Sequence, residues 1–158
     1  MPVSFAQERV YFIQQLAPEN NAYQFQATLR FRGSLDVTVL QQCLNDIALR
    51  HEIFRTTYPA IDGRLFQVIH QHQAIDFTAI NLEPFPESER EAQLQKLVEA
   101  EVQKPFDLNQ LPLVKMVLSS RLSERRTPVT HIQHHMIHDG WSFNIFLSEL
   151  IELHQASP

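Results

Sequence analysis

Residues 129–150 read VTHIQHHMIHDGWSFNIFLSEL, and this stretch carries the strongest signals for fold and chemistry in the 158-residue chain. Its first part predicts a strand over Val129–His135, because apolar and polar residues are interleaved between turn signals. Asp139 is a good N-cap for a helix that follows. Apolar residues with helical spacing then define one face of that helix, namely Phe143, Phe146, Leu147 and Leu150.

The two adjacent histidines are distinguished by strand geometry, because successive side chains of a strand point to opposite faces. His131, Gln133 and His135 therefore share one face, and His134 shares the other with Ile132. The first set is wholly polar and favours a water-filled cleft, whereas the isoleucine favours the side covered by helices. Histidine exchanges protons near neutral pH, so His135 is the better functional candidate. From spacing alone, a purely structural role for both histidines is equally favoured.

Asp139 has two predicted roles. As an N-cap it accepts backbone hydrogen bonds at the start of the last helix. As a buried carboxylate it needs a cationic partner, for which Arg55 on a predicted strand is the candidate. Either role makes Asp139 an organiser of the histidine turn, not a proton carrier. Gly140, beside this cap, indicates a need for backbone freedom or for close approach.

Other chemistries fit the sequence less well. The histidines at 131, 134, 135 and 138 and Asp139 are dense enough to suggest a metal site. Strand alternation separates them, however, and HxxHH lacks the helical i, i+4 spacing of HExxH. We therefore predict no metal. The glycines, at 33, 63 and 140, do not form a phosphate loop, and no GxSxG elbow for serine hydrolysis is present.

The rest of the chain alternates helices and strands. Ser4 and Gln7 have the spacing of a capping box, which predicts a helix over Phe5–Leu16. Two strands, Ile53–Tyr58 and Leu65–His70, are predicted to form a hairpin. After Asp36 a second helix is predicted, with an apolar stripe of Leu40, Cys43, Leu44, Ile47 and Ala48. The fold class is α/β (α+β two-layer), a mixed β-sheet with helices packed on it.

Bulk composition excludes several classes of protein. The chain has 44% hydrophobic and 20% charged residues, which is ordinary for a globular domain or a large piece of one. A net charge of −5 with no basic block argues against a nucleic-acid partner. The single cysteine, Cys43, cannot form an internal disulfide, and no stretch predicts a membrane span or a leader. These features predict a cytoplasmic protein.

Three segments resemble the early motifs of the condensation domains of nonribosomal peptide synthetases, in the same order. Residues 4–12, SFAQERVYF, resemble SxAQxR, and residues 50–58, RHEIFRTTY, resemble RHExLRTxF with Phe54 in place of the usual leucine. Residues 134–142, HHMIHDGWS, resemble HHxxxDGWS. The resemblance covers essentially the whole chain. It implies half of a chloramphenicol acetyltransferase-like fold.

The resemblance also implies a reaction and its participants. Such domains join a donor acyl or peptidyl thioester to the amine of an acceptor aminoacyl thioester. Both substrates are carried on phosphopantetheine by peptidyl carrier proteins, and no cofactor is bound directly. The catalytic residue is implied to be His135, as a general base or as a group that orients the amine. Supporting roles are implied for His134, Asp139, Gly140 and Arg55.

A complete condensation domain has two similarly folded lobes and is much longer than this chain. We therefore expect residues 1–158 to be an N-terminal lobe whose C-terminal lobe is absent, and which is inactive alone. Its partners would be the C-terminal lobe, adjacent synthetase domains and the carrier proteins, and part of the lobe contact should be apolar. Two alternatives stay open: a carrier-protein docking module without catalysis, and a self-assembling CoA-type acyltransferase.

Overall fold

A computed structural model describes residues 1–17, 21–75, 77–120 and 126–156. The helices of this part are α1 Phe5–Leu16, α2 Val37–Arg50, α3 Glu87–Val102 and α4 Gly140–Ala156. Its strands are β1 Gln24–Arg32, β2 Thr56–Thr57, β3 Ala60–Ile61, β4 Arg64–Leu65, β5 Val68–Ile69, β6 Phe77–Ile80, β7 Val114–Ser119 and β8 Arg126–His134. Short 3₁₀ turns cover Asn21–Tyr23, Glu52–Arg55 and His135–Ile137. In these described ranges no helix combines the length and apolar character needed to cross a bilayer.

The main sheet is mixed, as predicted. Its strand order is β1-β8-β7-β6, with β8 antiparallel to both of its neighbours and β6 parallel to β7. Because β8 is hydrogen-bonded along both edges, its backbone groups are paired and its side chains lie at the centre of the sheet. The strand that leads to the histidine motif is therefore an interior strand, held between β1 and β7.

Helices cover both faces of this sheet. On one face, α4 contacts β1 through ring pairs such as Phe25 with Phe143, and α2 packs beside α4. On the other face, α3 lies over β1, where Arg30 forms an ion pair with Glu91. The predicted stripe of α2 is confirmed, since all its members are buried: Leu40, Cys43, Leu44, Ile47 and Ala48. The mixed sheet with packed helices is thus confirmed, and α3 adds a layer on the second face.

The predicted capping box of α1 is confirmed. The Ser4 hydroxyl accepts from the Gln7 backbone N–H at 3.2 Å, and the Gln7 side-chain oxygen accepts from the Ser4 N–H at 3.0 Å. This reciprocal pair satisfies two of the free donors at the helix start. Although α1 is well capped, none of its residues is buried, and Phe5, Phe12 and Leu16 are exposed.

The predicted hairpin forms, but its strands are shorter than expected. Glu52–Arg55 is a 3₁₀ turn, and only short pairs follow, β3 with β4 and β2 with β5. At its tip Asp62 and Gly63 have φ values of 50° and 74°. Two successive positive φ values are what a type I′ turn requires, which explains the Asp-Gly sequence.

Candidate active site

The end of β8 decides where the two histidines point. The strand ends at His134, and His135 opens the 3₁₀ turn His135–Ile137. The alternation of side chains therefore stops one residue earlier than predicted. His134 is 1% exposed, whereas His135 is exposed to solvent. The expected order of exposure is present, but it arises from the turn and not from strand alternation.

The expectation of a wet cleft around His131 and Gln133 is wrong. Both side chains are buried, and His131 packs between Phe143 and Phe146 of α4, with ring centroids 5.5 and 4.7 Å away. The His131 Nε2–H donates to the Gln133 side-chain oxygen at 2.7 Å, while the His131 Nδ1 has no hydrogen-bond partner among the described residues. Polar residues can thus lie under a helix when they pair. Burial lowers the pKa of His131 to about 4, so the ring is neutral.

His134 is a structural element of the turn. Its Nδ1 accepts a hydrogen bond from the Met136 backbone N–H at 3.0 Å, and its ring meets Phe106 edge-on at 6.1 Å. Burial, and then the neighbouring His135, lower the pKa of His134 to about 4. A neutral ring is required here, because a protonated Nδ1 would lose its ability to accept.

His135 is the exposed histidine of the motif, and one of its ring nitrogens is engaged. Its Nδ1 lies 3.2 Å from the His138 carbonyl oxygen. Because a carbonyl only accepts, Nδ1 carries a proton, and in the neutral ring the lone pair is on Nε2. Nε2 makes no hydrogen bond to any other residue in the described part of the chain. Tyr23 and His138 flank the ring, with centroids 6.4 and 5.5 Å away.

His138 lies behind this exposed ring. Its own ring is buried against Phe25, with the centroids 4.5 Å apart, and its Nδ1 is 3.5 Å from the Ser142 hydroxyl. Burial, followed by the proximity of His135, lowers the pKa of His138 to about 4. The side chain of His138 is therefore neutral, and its carbonyl holds the His135 ring.

Asp139 occupies the N-cap position of α4, one of its two predicted roles. Its carboxylate accepts from the Ser142 N–H at 2.8 Å, and the Ser142 hydroxyl accepts from the Asp139 N–H at 2.9 Å. The backbone and then the side chain of Ser142 hold the pKa of the Asp139 carboxyl below its ordinary value. The carboxylate is exposed and needs no cationic partner.

The predicted pairing of Arg55 with Asp139 is wrong. The Arg55 guanidinium donates to the His70 carbonyl at 2.7 Å and lies 3.5 Å from the Glu52 carboxylate. Both partners come from the hairpin region that contains Arg55, so its guanidinium group is bound by nearby residues. The solvated Asp139 is satisfied by the Ser142 N–H at the helix start.

Gly140 is the first residue of α4, and backbone freedom does not explain it. Its φ lies outside the left-handed region, and a Cβ added to it would meet no atom within 4 Å among the described residues. The expectation of a special backbone conformation is therefore wrong. The space in front of Gly140 is open to a molecule that approaches from outside.

The described part of the chain holds no group of three or more metal-ligating side chains arranged to bind an ion. The dense histidines of the motif are dispersed instead. His131 and His134 are buried in β8, and His135 is exposed on the turn. Structural zinc sites need ligands that converge at about 2.0–2.3 Å from the ion.

Sequence reasoning missed two residues that contact the histidine turn. The Gln7 side-chain N–H donates to the Tyr58 hydroxyl and to the Met136 carbonyl, each at 3.2 Å. The Tyr58 hydroxyl also donates to the Met136 carbonyl at 3.2 Å. The capping-box spacing singled out Gln7 for another reason, and Tyr58 closes the second motif. Three distant motifs therefore meet at one backbone carbonyl.

Comparison with known proteins agrees with this arrangement. The family model of the condensation domain matches residues 1–157. The chain belongs to the condensation domain family. Among curated members, a linear gramicidin synthase of Brevibacillus parabrevis is 38% identical over 156 residues, which is 99% of this chain and 3% of that protein. The chain thus spans a small fraction of the curated relatives it matches.

Solved structures of condensation domains share the fold. The starter condensation domain of rhizomide synthetase RzmA superposes with a TM-score of 0.87 at 21% identity, covering 98% of this chain and 37% of that one. The X-domain in its complex with OxyB from teicoplanin biosynthesis gives a TM-score of 0.81 at 28% identity, covering 98% and 32%. The chain therefore corresponds to about a third of each of these structures.

Proposed function

We propose that residues 1–158 are the N-terminal lobe of a condensation domain that forms peptide bonds in nonribosomal peptide synthesis. The donor is an acyl or peptidyl thioester, and the acceptor is the amine of an aminoacyl thioester. The observation that carries the proposal is the exposed His135, whose Nδ1 is held by a carbonyl and whose Nε2 is free. Its place in an HHxxxDG motif, in a family that includes peptide synthetases, supports this reading.

The free Nε2 suits the proton transfer that amide formation needs. As the acceptor amine attacks the thioester carbonyl carbon, a C–N bond forms and the C–S bond breaks. Nε2 of His135 takes a proton from the amine nitrogen, and the proton passes to the departing sulfur, which leaves as a thiol. A neutral imidazole is competent for this step near neutral pH. The same nitrogen orients the amine before attack.

The substrates reach His135 on partner proteins. Donor and acceptor peptidyl carrier proteins present them on phosphopantetheine arms, so the lobe needs no cofactor of its own. The open space at Gly140 suits the approach of a thioester next to the histidine turn. Asp139 supports the turn as a helix cap, and His134 supports it from the core.

The missing part of the domain would cover exposed apolar residues. Phe5 and Leu16 of α1 are 91% and 85% exposed, and Trp141 of α4 is 77% exposed. Exposed apolar surface of this kind favours contact with a C-terminal lobe or an adjacent synthetase domain. Because a condensation domain needs both lobes, residues 1–158 alone are expected to be inactive.

A single-turnover transfer assay between two loaded carrier proteins tests the proposal. It compares residues 1–158 alone, the intact two-lobe domain, and that domain carrying His135→Ala. We expect transfer only by the intact domain and a loss of at least about 100-fold in the variant. His72→Ala, which removes another exposed histidine, serves as the matched control and should transfer normally. Full transfer by His135→Ala contradicts the assigned role.

A docking module without catalysis is the second candidate. It is favoured by the likeness to the X-domain, a relative found in complex with the partner protein OxyB. A chemical-shift titration with a carrier protein separates the two functions. Shifts that are remote from His135 and identical with and without the thioester cargo would support docking. Shifts at His135 that require the cargo would support catalysis.

A further inference from the structure

We infer that Gln7 and Tyr58 position His135, by anchoring the carbonyl of Met136 in the turn that carries the histidine. The inference deepens the proposed function and rests on it for one of its two tests, the rate of peptide transfer. Neither side chain reaches the exposed ring itself, since their hydrogen bonds end at the Met136 carbonyl. They are positioning residues, and they act through the backbone.

The anchor joins three separated segments. Gln7 belongs to α1, Tyr58 follows β2, and Met136 is the middle residue of the turn His135–Ile137. The Met136 carbonyl accepts from the Gln7 amide and from the Tyr58 hydroxyl, both at 3.2 Å. The Gln7 amide also donates to the Tyr58 hydroxyl, which closes a triangle of hydrogen bonds. Two donors on one carbonyl use both of its lone pairs.

The same residue is held from its other side. The Met136 N–H donates to Nδ1 of the buried His134 at 3.0 Å. Residue 136 is therefore anchored at its N–H and at its carbonyl, and a single 3₁₀ turn has little freedom left between those contacts. Because His135 directly precedes Met136, the direction of the His135 Cα–Cβ bond is fixed. The His138 carbonyl then fixes the orientation of the His135 ring.

Gln7 has two functions that a glutamate could not both fulfil. Its side-chain oxygen accepts from the Ser4 N–H at 3.0 Å, which fixes which end of the amide faces the helix start. Its N–H₂ group therefore faces Tyr58 and Met136. A capping box accepts glutamate as readily as glutamine. Only the amide can donate to a carbonyl, so capping alone does not require glutamine at position 7.

Tyr58 is suited to a permanent donor role. Its side chain is fully buried, and burial raises the pKa of its hydroxyl well above its ordinary value, against the opposing effect of Gln7. The hydroxyl therefore stays protonated near neutral pH. A buried hydroxyl that lacked an acceptor would carry a desolvation cost, and the Met136 carbonyl provides that acceptor.

The test uses the intact two-lobe domain with Gln7→Glu, Tyr58→Phe and the double variant. Gln15→Glu is the matched control, because it makes the same change at an exposed position of α1. Two quantities are measured: kcat and KM for peptide transfer between loaded carriers, and the ¹⁵N resonances of the His135 ring. We expect kcat to fall about tenfold or more in Gln7→Glu, with KM for the carriers unchanged. The His135 resonances should move, and the two substitutions should be less than additive.

The outcomes separate this inference from the proposed function. Where His135→Ala abolishes transfer, a normal kcat in Gln7→Glu would overturn the inference, whether or not the His135 resonances move. If Tyr58→Phe does not fold, Gln7→Glu still decides, because its cap is retained. If His135→Ala transfers normally, the proposed function fails. Unmoved His135 resonances in Gln7→Glu would then reject the positioning inference, and moved resonances would support it.

Discussion

The buried end of β8 and the exposed turn that follows it carry chemically identical side chains in opposite environments. His134 is enclosed, neutral and committed to a backbone N–H, whereas its neighbour His135 is exposed with a free Nε2. Nothing in the composition of the motif separates the two. The difference arises from the end of a strand, which places one ring in the core and directs the next outward.

The same contrast extends to the surrounding histidines. His131 and His138 are buried against phenylalanine rings, and burial lowers the pKa of each to about 4. Three neutral histidines thus lie around or behind one accessible histidine. Because these three rings are neutral near neutral pH, they place no positive charge beside His135.

The largest expected effect is the dependence of stability on pH. The pKa values of His131, His134 and His138 are about 4 in the folded chain and about 6.5 when unfolded. The unfolded state therefore binds more protons between these values. Stability should be full above pH 6.5, fall as the pH decreases, and level off below pH 4. The loss should be about 2 kcal/mol for each of His131 and His134 between pH 7 and pH 5, and smaller for His138, whose charge solvent screens more strongly.

Urea denaturation of this chain across that pH range measures the effect. His131→Gln keeps a polar partner for Gln133 but cannot titrate, so it should flatten the slope. His72→Gln, at an exposed position, should leave the slope unchanged. An unfolding free energy that is constant from pH 7 to pH 5 would mean that these histidines are not buried as described.

The next prediction compares substitutions of the two adjacent histidines, His134 and His135. His134→Ala should reduce the free energy of unfolding by about 2–4 kcal/mol, because it opens a cavity beside Phe106 and leaves the Met136 N–H unpaired. His135→Ala should change it by less than about 0.5 kcal/mol, as expected for an exposed side chain. Equal losses in the two variants, measured by urea denaturation, would remove the distinction between them.

A smaller effect is expected at Asp139. Asp139→Ala removes the carboxylate that accepts from the Ser142 N–H, and loss of such a cap should lower Tm by about 2–4 °C. Combining it with Arg55→Ala in a double-mutant cycle should give additive changes, because the two side chains have separate partners. Strong coupling between the two substitutions in thermal unfolding would support the Arg55–Asp139 ion pair predicted from the sequence.

The smallest expected effect on stability is at Gly140. Gly140→Ala places a methyl group in open space on an ordinary helical backbone, so Tm should stay within about 2 °C of the parent. Transfer activity of the intact domain should nevertheless fall if a thioester approaches this position. A clear loss of Tm would indicate a constraint within the chain itself.

The sequence predicted those features that are determined by local spacing. The α2 stripe, the Ser4–Gln7 capping box and the Asp62-Gly63 turn depend on residues a few positions apart, and each is confirmed. The end of β8 was misplaced by one residue, because a 3₁₀ turn has no strong composition signal. That single residue removed the basis for assigning His135 to a strand face.

The errors at the site come from contacts that residue spacing within a segment does not reveal. His131 and Gln133 look solvent-exposed in a strand pattern, yet their mutual hydrogen bond lets α4 cover them. Arg55 has no local feature that reveals its bond to the His70 carbonyl. The bonds from Gln7 and Tyr58 to Met136 span 129 and 78 residues of sequence. No periodicity within a segment encodes such pairings.

The pairing of β1 with β8 has a consequence for how the chain is made. Thr28 and Thr130 bond across the ladder although 102 residues separate them. Closing so long a loop is slow compared with forming a helix or a hairpin. During synthesis β1 must therefore wait, with neither of its edges paired in this sheet, until β8 has left the ribosome. The histidine turn comes directly after that strand, so it is among the last parts of the sheet region to take shape.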